Sequence, residues 1–177
     1  LLPQVSKPTR YMGNEYNSII KDLSSIKVHI ALAFPDVYEV GMSHLGIQIL
    51  YHLLNEYPDI YAERVFTPWV DFEALIRKEG IPLFSLESKT AISQFDFLGF
   101  TLQYEMSYTN IVNMLDLSNI PIFSKDRNES HPLVIAGGPC AFNPEPLADI
   151  IDFFIIGEAE EAILDVINLY KSFKERG

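Results

Sequence analysis

The segment from Leu133 to Glu161 constrains the fold more than any other part of the chain. It contains two short and continuously apolar runs, Leu133–Ala136 and Phe153–Ile156, each followed directly by glycine. Strands that are covered on both faces of a sheet have this composition, whereas half-exposed strands alternate between apolar and polar residues. The segment therefore predicts two buried parallel strands, with any ligand chemistry at the carboxyl edge of their sheet.

Three more strands are predicted upstream, and helical patterns separate them. The strands are Lys27–Phe34, Ile60–Phe66 and Phe95–Leu102. The helices run from Ser43 to Tyr57, from Pro68 to a stop at Gly80, from Ser107 or Thr109 to Leu117, and from Glu158 to Phe173. This alternation predicts an open α/β sheet of five parallel strands with helices on both faces. Chain size favours the flavodoxin-like strand order 2-1-3-4-5, which the resemblance described below also supports.

Composition predicts one folded domain preceded by an arm. Residues 1–24 are polar and are interrupted by Pro3, Pro8 and Gly13, so we expect an arm there and the domain over residues 25–177. With 177 residues and 48% hydrophobic residues, the chain can fill one core. Its apolar runs are too short to span a membrane, and no secretory signal is visible, so we expect a cytoplasmic protein.

Charge and cysteine content exclude several functions. Lys and Arg number 13 against 24 Asp and Glu, and the resulting net charge of −11 opposes binding to a phosphate backbone. The single cysteine, Cys140, cannot form an internal disulfide or hold an iron-sulfur cluster by itself. No pair of histidines has the spacing of a zinc site on one helix turn, so we predict no metal site.

In the predicted strand order, the switch point lies between the first and third strands. Four loops then meet at one edge of the sheet, namely 35–43, 103–110, 137–143 and 157–160. The first loop carries Asp36 and Glu39 and lacks the small residues that bind the phosphate of a flavin. The chain also lacks the acidic cluster of a phosphoacceptor domain, the G-x-G-x-x-G dinucleotide motif and a Walker loop.

Two motifs resemble those of cobalamin-binding domains. Residues 36–41, D-V-Y-E-V-G, have the spacing of the D-x-H-x-x-G loop, with Tyr38 at the histidine position. The turn A-G-G-P at 136–139, P-E-P-L-A-D at 144–149 and D-F-F-I-I-G-E-A-E-E at 152–161 resemble a pattern of cobalamin-binding-type domains attached to radical S-adenosylmethionine (SAM) enzymes. The whole chain resembles the amino-terminal domain of an uncharacterised bacterial family of radical SAM iron-sulfur proteins.

The resemblance implies a domain that precedes a radical SAM barrel, which would be its partner within the same polypeptide. SAM and the iron-sulfur cluster would belong to that barrel, because this chain lacks the three-cysteine motif, and the parent protein would be an oxidoreductase. We therefore assign no catalytic residue to this chain. In family members with the histidine, that side chain is the lower ligand of cobalt. The phenol of Tyr38 is a poor substitute unless it is ionised.

Two functions remain open at this point. In the first, the domain binds cobalamin, and the resemblance places ten residues at the cofactor: Asp36, Tyr38, Glu39, Gly41, Ser43, Thr101, Gly137, Gly138, Pro139 and Glu158. In the second, the domain binds no cofactor and docks on the barrel as a structural module, and its glycines and acids serve turns and the helix dipole. A crevice filled by the side chain of Tyr38, Tyr104 or Phe142 would favour the second case. His44 and Cys140 are further candidates at its rim.

Overall fold

A computed structural model describes residues 1–176 of the chain. Its five strands form one parallel sheet in the order β2-β1-β3-β4-β5. The strands are β1 (Val28–Phe34), β2 (Ile60–Phe66), β3 (Phe97–Thr101), β4 (Leu133–Gly137) and β5 (Phe153–Ile155). The predicted flavodoxin-like sheet and its strand order are therefore confirmed.

Five α-helices cover the two faces of the sheet. They are α1 (Tyr38–Met42), α2 (Leu45–Asn55), α3 (Val70–Glu79), α4 (Tyr108–Leu117) and α5 (Ala159–Lys174). Helices α2 and α5 pack on one face, and α3 and α4 pack on the other, so each face has its own apolar core. Among residues 1–176, no helix is both long and apolar enough to cross a membrane.

The chain between β1 and α2 differs from the prediction of one helix beginning at Ser43. The short helix α1 comes first, and the Oγ of Ser43 donates to the carbonyl of Val40 at its end. His44 then caps α2, because its Nδ1 accepts the N–H of Ile47 at 3.3 Å. Serine was the expected cap, but its hydroxyl is already used by the preceding helix.

Buried charges fix the outer edge of the sheet at β2. The Nε of Arg64 donates to Oε1 of Glu87 at 2.7 Å, and the Nε2 of His29 lies 2.6 Å from Oε1 of Glu63. The segment that carries Glu87 also pairs with the strand, since the N–H of Leu86 donates to the carbonyl of Arg64. This segment covers an edge strand that would otherwise expose unpaired backbone groups.

The amino-terminal arm packs along the same side of the domain. Val5 is buried in the core, and the ring of Tyr11 stacks on Phe72 at 3.9 Å. The hydroxyl of Tyr11 accepts the backbone N–H of Trp69, so the only tryptophan of the chain lies at the arm contact. Farther along, the backbone N–H of Ile19 donates to the hydroxyl of Tyr51. The arm is thus held by packing and by hydrogen bonds along its length.

The connection from β4 to β5 contains only two 3₁₀ turns, Pro139–Phe142 and Glu145–Leu147. This connection packs on the face of α3 and α4, since Ala141, Leu147 and Ile151 belong to that core. On the opposite face, α2 and α5 leave the sheet uncovered between them near the carboxyl edge. This gap positions the candidate site.

Candidate functional site

An open groove of about 290 Å³ lies between the amino-terminal halves of α2 and α5. Its floor is formed by the carboxyl-terminal parts of β1, β3, β4 and β5, which end at one edge because the sheet is parallel. The walls are mainly apolar, and they include Ile30, Leu32, Ile47, Leu50, Ile135, Ile155 and Ile163. A mainly apolar concavity at the switch point of an α/β sheet is the usual place for a small-molecule ligand.

At two positions on the floor of the groove, neither the backbone conformation nor the neighbouring atoms require glycine. A Cβ at Gly99 would meet its nearest neighbour, Cγ1 of Ile135, at 3.5 Å, and a Cβ at Gly137 would meet the carbonyl of Ile155 at 3.4 Å. These are ordinary contacts, and neither glycine has a positive φ. Glycine inside a strand is destabilising and often marks close approach by a ligand. The groove is therefore deeper than it would be if these two positions carried side chains, which the surrounding packing would allow.

The other two glycines at this edge serve the backbone. Gly138 and Gly157 both have φ of 104°, a conformation that side chains disfavour. A Cβ at Gly138 would also lie 2.9 Å from the carbonyl oxygen of Leu102. Gly138 is therefore required by the turn after β4. Its neighbour Gly137 is not, and its lack of a side chain leaves the groove open.

The groove has few polar groups, and none of its lining residues is lysine or arginine. The polar side chains are His44, Thr101, Gln103, Glu158 and Glu160. The Nε2 of Gln103 donates to the hydroxyl of Thr101 at 2.6 Å. Because cations are absent from the lining, the groove lacks the side chains that would neutralise a phosphate group.

Tyr38 is directed away from the groove. Its hydroxyl donates to the carboxylate of Glu15 at 2.7 Å, and its ring packs edge-on against Phe66 at a centroid distance of 5.6 Å. Burial and the hydrogen bond to Glu15 raise the pKa of Tyr38 to about 12. The phenol therefore stays protonated at neutral pH, and in this position it is not a cobalt ligand.

The arm also holds the carboxylate next to Tyr38. Arg10 and Lys7 form ion pairs with Oε1 of Glu39 at 2.8 Å and 3.2 Å. The hydrogen bond from Arg10 is the main cause that lowers the pKa of Glu39 to about 2. Asp36 makes a local contact, since its Oδ1 accepts the N–H of Val37. The acids of the predicted cofactor loop therefore serve the arm and the loop itself.

The remaining residues of this loop have packing roles. A Cβ at Gly41 would lie 2.3 Å from Cε1 of Phe66, so only glycine fits beside that ring. Pro139 is exposed and opens the turn after β4. Cys140 follows it, and burial raises the pKa of its thiol. Within residues 1–176, no group of three or more histidine, cysteine, aspartate or glutamate residues is arranged to hold a metal ion.

The structure therefore divides the ten predicted residues into two sets. Thr101, Gly137, Gly138 and Glu158 line the groove, whereas Asp36, Tyr38, Glu39, Gly41, Ser43 and Pro139 lie outside it. The rim residue His44 is part of the lining, and Tyr104 and Phe142 do not fill the groove. Sequence reasoning missed Gly99, although a glycine inside an apolar strand was a signal for it, and it included Gln103 only as the first residue of the loop 103–110.

Fold and groove together define a flavodoxin-like α/β domain with a ligand-type cleft at its switch point. Residues 46–177 match the family model described as the N-terminal region of radical SAM proteins, and the chain belongs to this family. The chain is also 29% identical over 145 residues to an uncharacterized protein of Methanocaldococcus jannaschii. That match covers 79% of the chain and 26% of the relative, so the chain spans about a quarter of the relative's length.

Proposed function

We propose that the chain is the accessory domain of a radical SAM iron-sulfur oxidoreductase and that its groove binds cobalamin. The observation that carries this proposal is the open apolar groove with glycine at positions 99 and 137 of its floor. Membership in the radical SAM family supports the first part, with SAM and the iron-sulfur cluster in a catalytic domain of the same polypeptide.

The residues of the groove fit the heterocyclic tail of a corrinoid. Gly99 and Gly137 let a flat ring approach the strand backbone, and Ile135 and Ile163 supply apolar contact on its faces. The phosphodiester of cobalamin carries one negative charge, fewer than a terminal phosphate carries, so a lining without cations opposes it less. When bound, cobalamin would supply a redox-active cobalt centre, and the role of this chain is to hold and orient the cofactor.

In this proposal, Tyr38 does not replace the histidine of the resembling loops. Its hydroxyl is bound to Glu15 and its ring lies on Phe66, so the cobalt has no lower ligand from residue 38. The binding energy comes from the groove instead. We expect Tyr38→Phe to leave the affinity for hydroxocobalamin unchanged.

The test is a titration of hydroxocobalamin into the 177-residue chain, followed by visible absorption. We expect a saturable spectral change for the wild type and for His52→Asn, a matched control on the exposed outer side of α2. In Gly99→Val the added side chain projects into the groove, and we expect at least a tenfold loss of affinity. Equal binding by wild type and Gly99→Val, or no binding at all, would refute the cobalamin proposal.

A second function is favoured by the exposed apolar residues at the carboxyl edge. Leu45, Met106 and Phe142 are 72%, 80% and 72% exposed, and they lie on three different loops or helix starts of this edge. Exposed apolar patches mark interaction surfaces. The partner would be the radical SAM domain of the same polypeptide.

The docking function is tested with the catalytic domain produced as a separate polypeptide. We expect it to bind the 177-residue chain in an affinity measurement and to lose affinity for Met106→Ser/Phe142→Ser. The control is Leu169→Ser, which changes an exposed apolar residue on α5 far from this edge. Docking without corrinoid binding would support the structural module alone.

A further inference from the structure

The polar groups of the groove distinguish between ligands by charge. Glu158 and Glu160 place two carboxyl side chains at the start of α5, and no lysine or arginine is present in the lining to offset them. A terminal phosphate in the groove would therefore meet like charge without a cationic partner. An uncharged ligand avoids this repulsion.

One side chain in the lining of the groove, His44, has a defined tautomer. The Nδ1 of His44 accepts the N–H of Ile47, so the neutral imidazole carries its proton on Nε2. Among residues 1–176, Nε2 has no hydrogen-bond partner of its own. The ring lies 5.1 Å from the ring of Phe34, and Gly46 leaves room for it, because a Cβ there would lie 2.9 Å from Cε1 of His44. The cap and these contacts fix the imidazole in the groove wall.

We infer that His44 is a specificity-determining hydrogen-bond donor and that the groove selects uncharged nitrogen heteroaromatic rings over phosphorylated ligands. The unprotonated ring nitrogen of such a ligand accepts the proton of Nε2, while its faces contact the apolar walls. With its proton on Nε2, His44 has no lone pair there for a metal, so it orients a ring and does not coordinate cobalt. This inference rests on the proposed function only in that both place a ligand in the same groove.

Two matched pairs of probes test the inference by calorimetry on the 177-residue chain. Benzimidazole and indole have the same bicyclic shape, but only benzimidazole has an acceptor nitrogen in the ring. We expect benzimidazole to bind about threefold to tenfold more tightly, as one neutral hydrogen bond contributes. Adenosine and adenosine monophosphate differ only in the phosphate, and we expect adenosine to bind about tenfold more tightly.

Variants of His44 and of the two glutamates test which residue causes each of these two preferences. In His44→Asn the cap of α2 is retained, because asparagine is a preferred N-cap residue, but the Nε2 donor is lost. We expect benzimidazole to fall to the affinity of indole while indole is unchanged. In Glu158→Gln/Glu160→Gln we expect the preference for adenosine over its monophosphate to shrink about threefold or more. His52→Asn, on the outer side of the same helix, should retain both preferences.

The results separate this inference from the cobalamin proposal. Equal binding of benzimidazole and indole, an equal loss of both in His44→Asn, or preference for the monophosphate would overturn the inference. Binding of hydroxocobalamin alongside such a result would leave the cobalamin proposal standing. Selective binding of the uncharged heterocycles without any binding of hydroxocobalamin would support the inference and refute the cobalamin proposal.

Discussion

Replacing Gly99 with alanine is expected to stabilise the fold and to weaken ligand binding in the same molecule. Gly99 lies inside β3 without a positive φ, so alanine can adopt its conformation. The new Cβ would meet its nearest neighbour, a side-chain carbon of Ile135, at 3.5 Å, which is an ordinary contact. Among residues 1–176, the nearest atoms therefore leave room for the methyl group, and the groove is the space that receives it.

The expected increase in the free energy of unfolding arises because alanine has less backbone freedom than glycine in the unfolded chain. A compatible Gly→Ala replacement adds about 0.4–1 kcal/mol to the free energy of unfolding. For a domain of this size, that corresponds to a rise in Tm of about 1–4 °C. The same methyl group enters a groove of about 290 Å³ at its floor. Steric overlap in a close-packed contact costs about 1–3 kcal/mol, so we expect the affinity for hydroxocobalamin to fall about tenfold.

The assay combines thermal unfolding followed by circular dichroism with the titration of hydroxocobalamin. Gly80→Ala is the control, because Gly80 ends α3 with φ of 65° and no atom of the described residues lies within 4 Å of the position that its Cβ would take. Alanine in this left-handed conformation costs about 1 kcal/mol, and the position is outside the groove. We therefore expect lower stability and unchanged affinity. A Gly99→Ala variant that is less stable, or that binds as tightly as wild type, would refute the argument that a ligand uses this space.

Three further predictions concern the arm and the buried polar groups. The hydrogen bond and ion pair with Arg10 lower the pKa of Glu39 to about 2. The carboxylate of Glu39 therefore stabilises the arm above the ordinary pKa of 4.5, and this stabilisation is lost as the pH falls toward 2. The fluorescence of Trp69 should change over this range, and Glu39→Gln should abolish that change. Since Glu39 is 43% exposed, the variant should lower the free energy of unfolding by no more than about 1 kcal/mol. Arg64→Met leaves the carboxylate of Glu87 buried without its cation, and urea unfolding should show a free energy of unfolding lower by about 3–5 kcal/mol. The double variant Arg64→Met/Glu87→Leu should recover this stability, and a failure to recover it would contradict the pairing. Tyr51→Phe removes the acceptor of an arm amide and should cost about 1 kcal/mol, measured in the same way.

The strands were predictable because their signal is local. Ile60–Phe66 lies between Pro58 and Pro68 and is rich in the aromatic and β-branched residues that favour strands, and the structure has β2 at these residues. The helix stop at Gly80 is equally local, since glycine takes the left-handed conformation there. Helix α1 was missed because its five residues are too few to show a helical period. The hydroxyl of Ser43 is bound to the carbonyl of Val40 in α1, so His44 caps α2 instead.

The sequence by itself determined the parallel sheet and which strand ends meet. Continuous apolar runs require cover on both faces, and parallel strands carry Thr101 and Gly137 to paired positions at one edge. Only the tertiary structure decided which side chains enter the groove. Tyr38 is held outside it by Glu15, 23 residues earlier in the chain, and Gly99 is open to it because α2 and α5 leave a gap over the central strands. A strand pattern follows from neighbouring residues, whereas side-chain direction depends on contacts between distant segments, which no local pattern records.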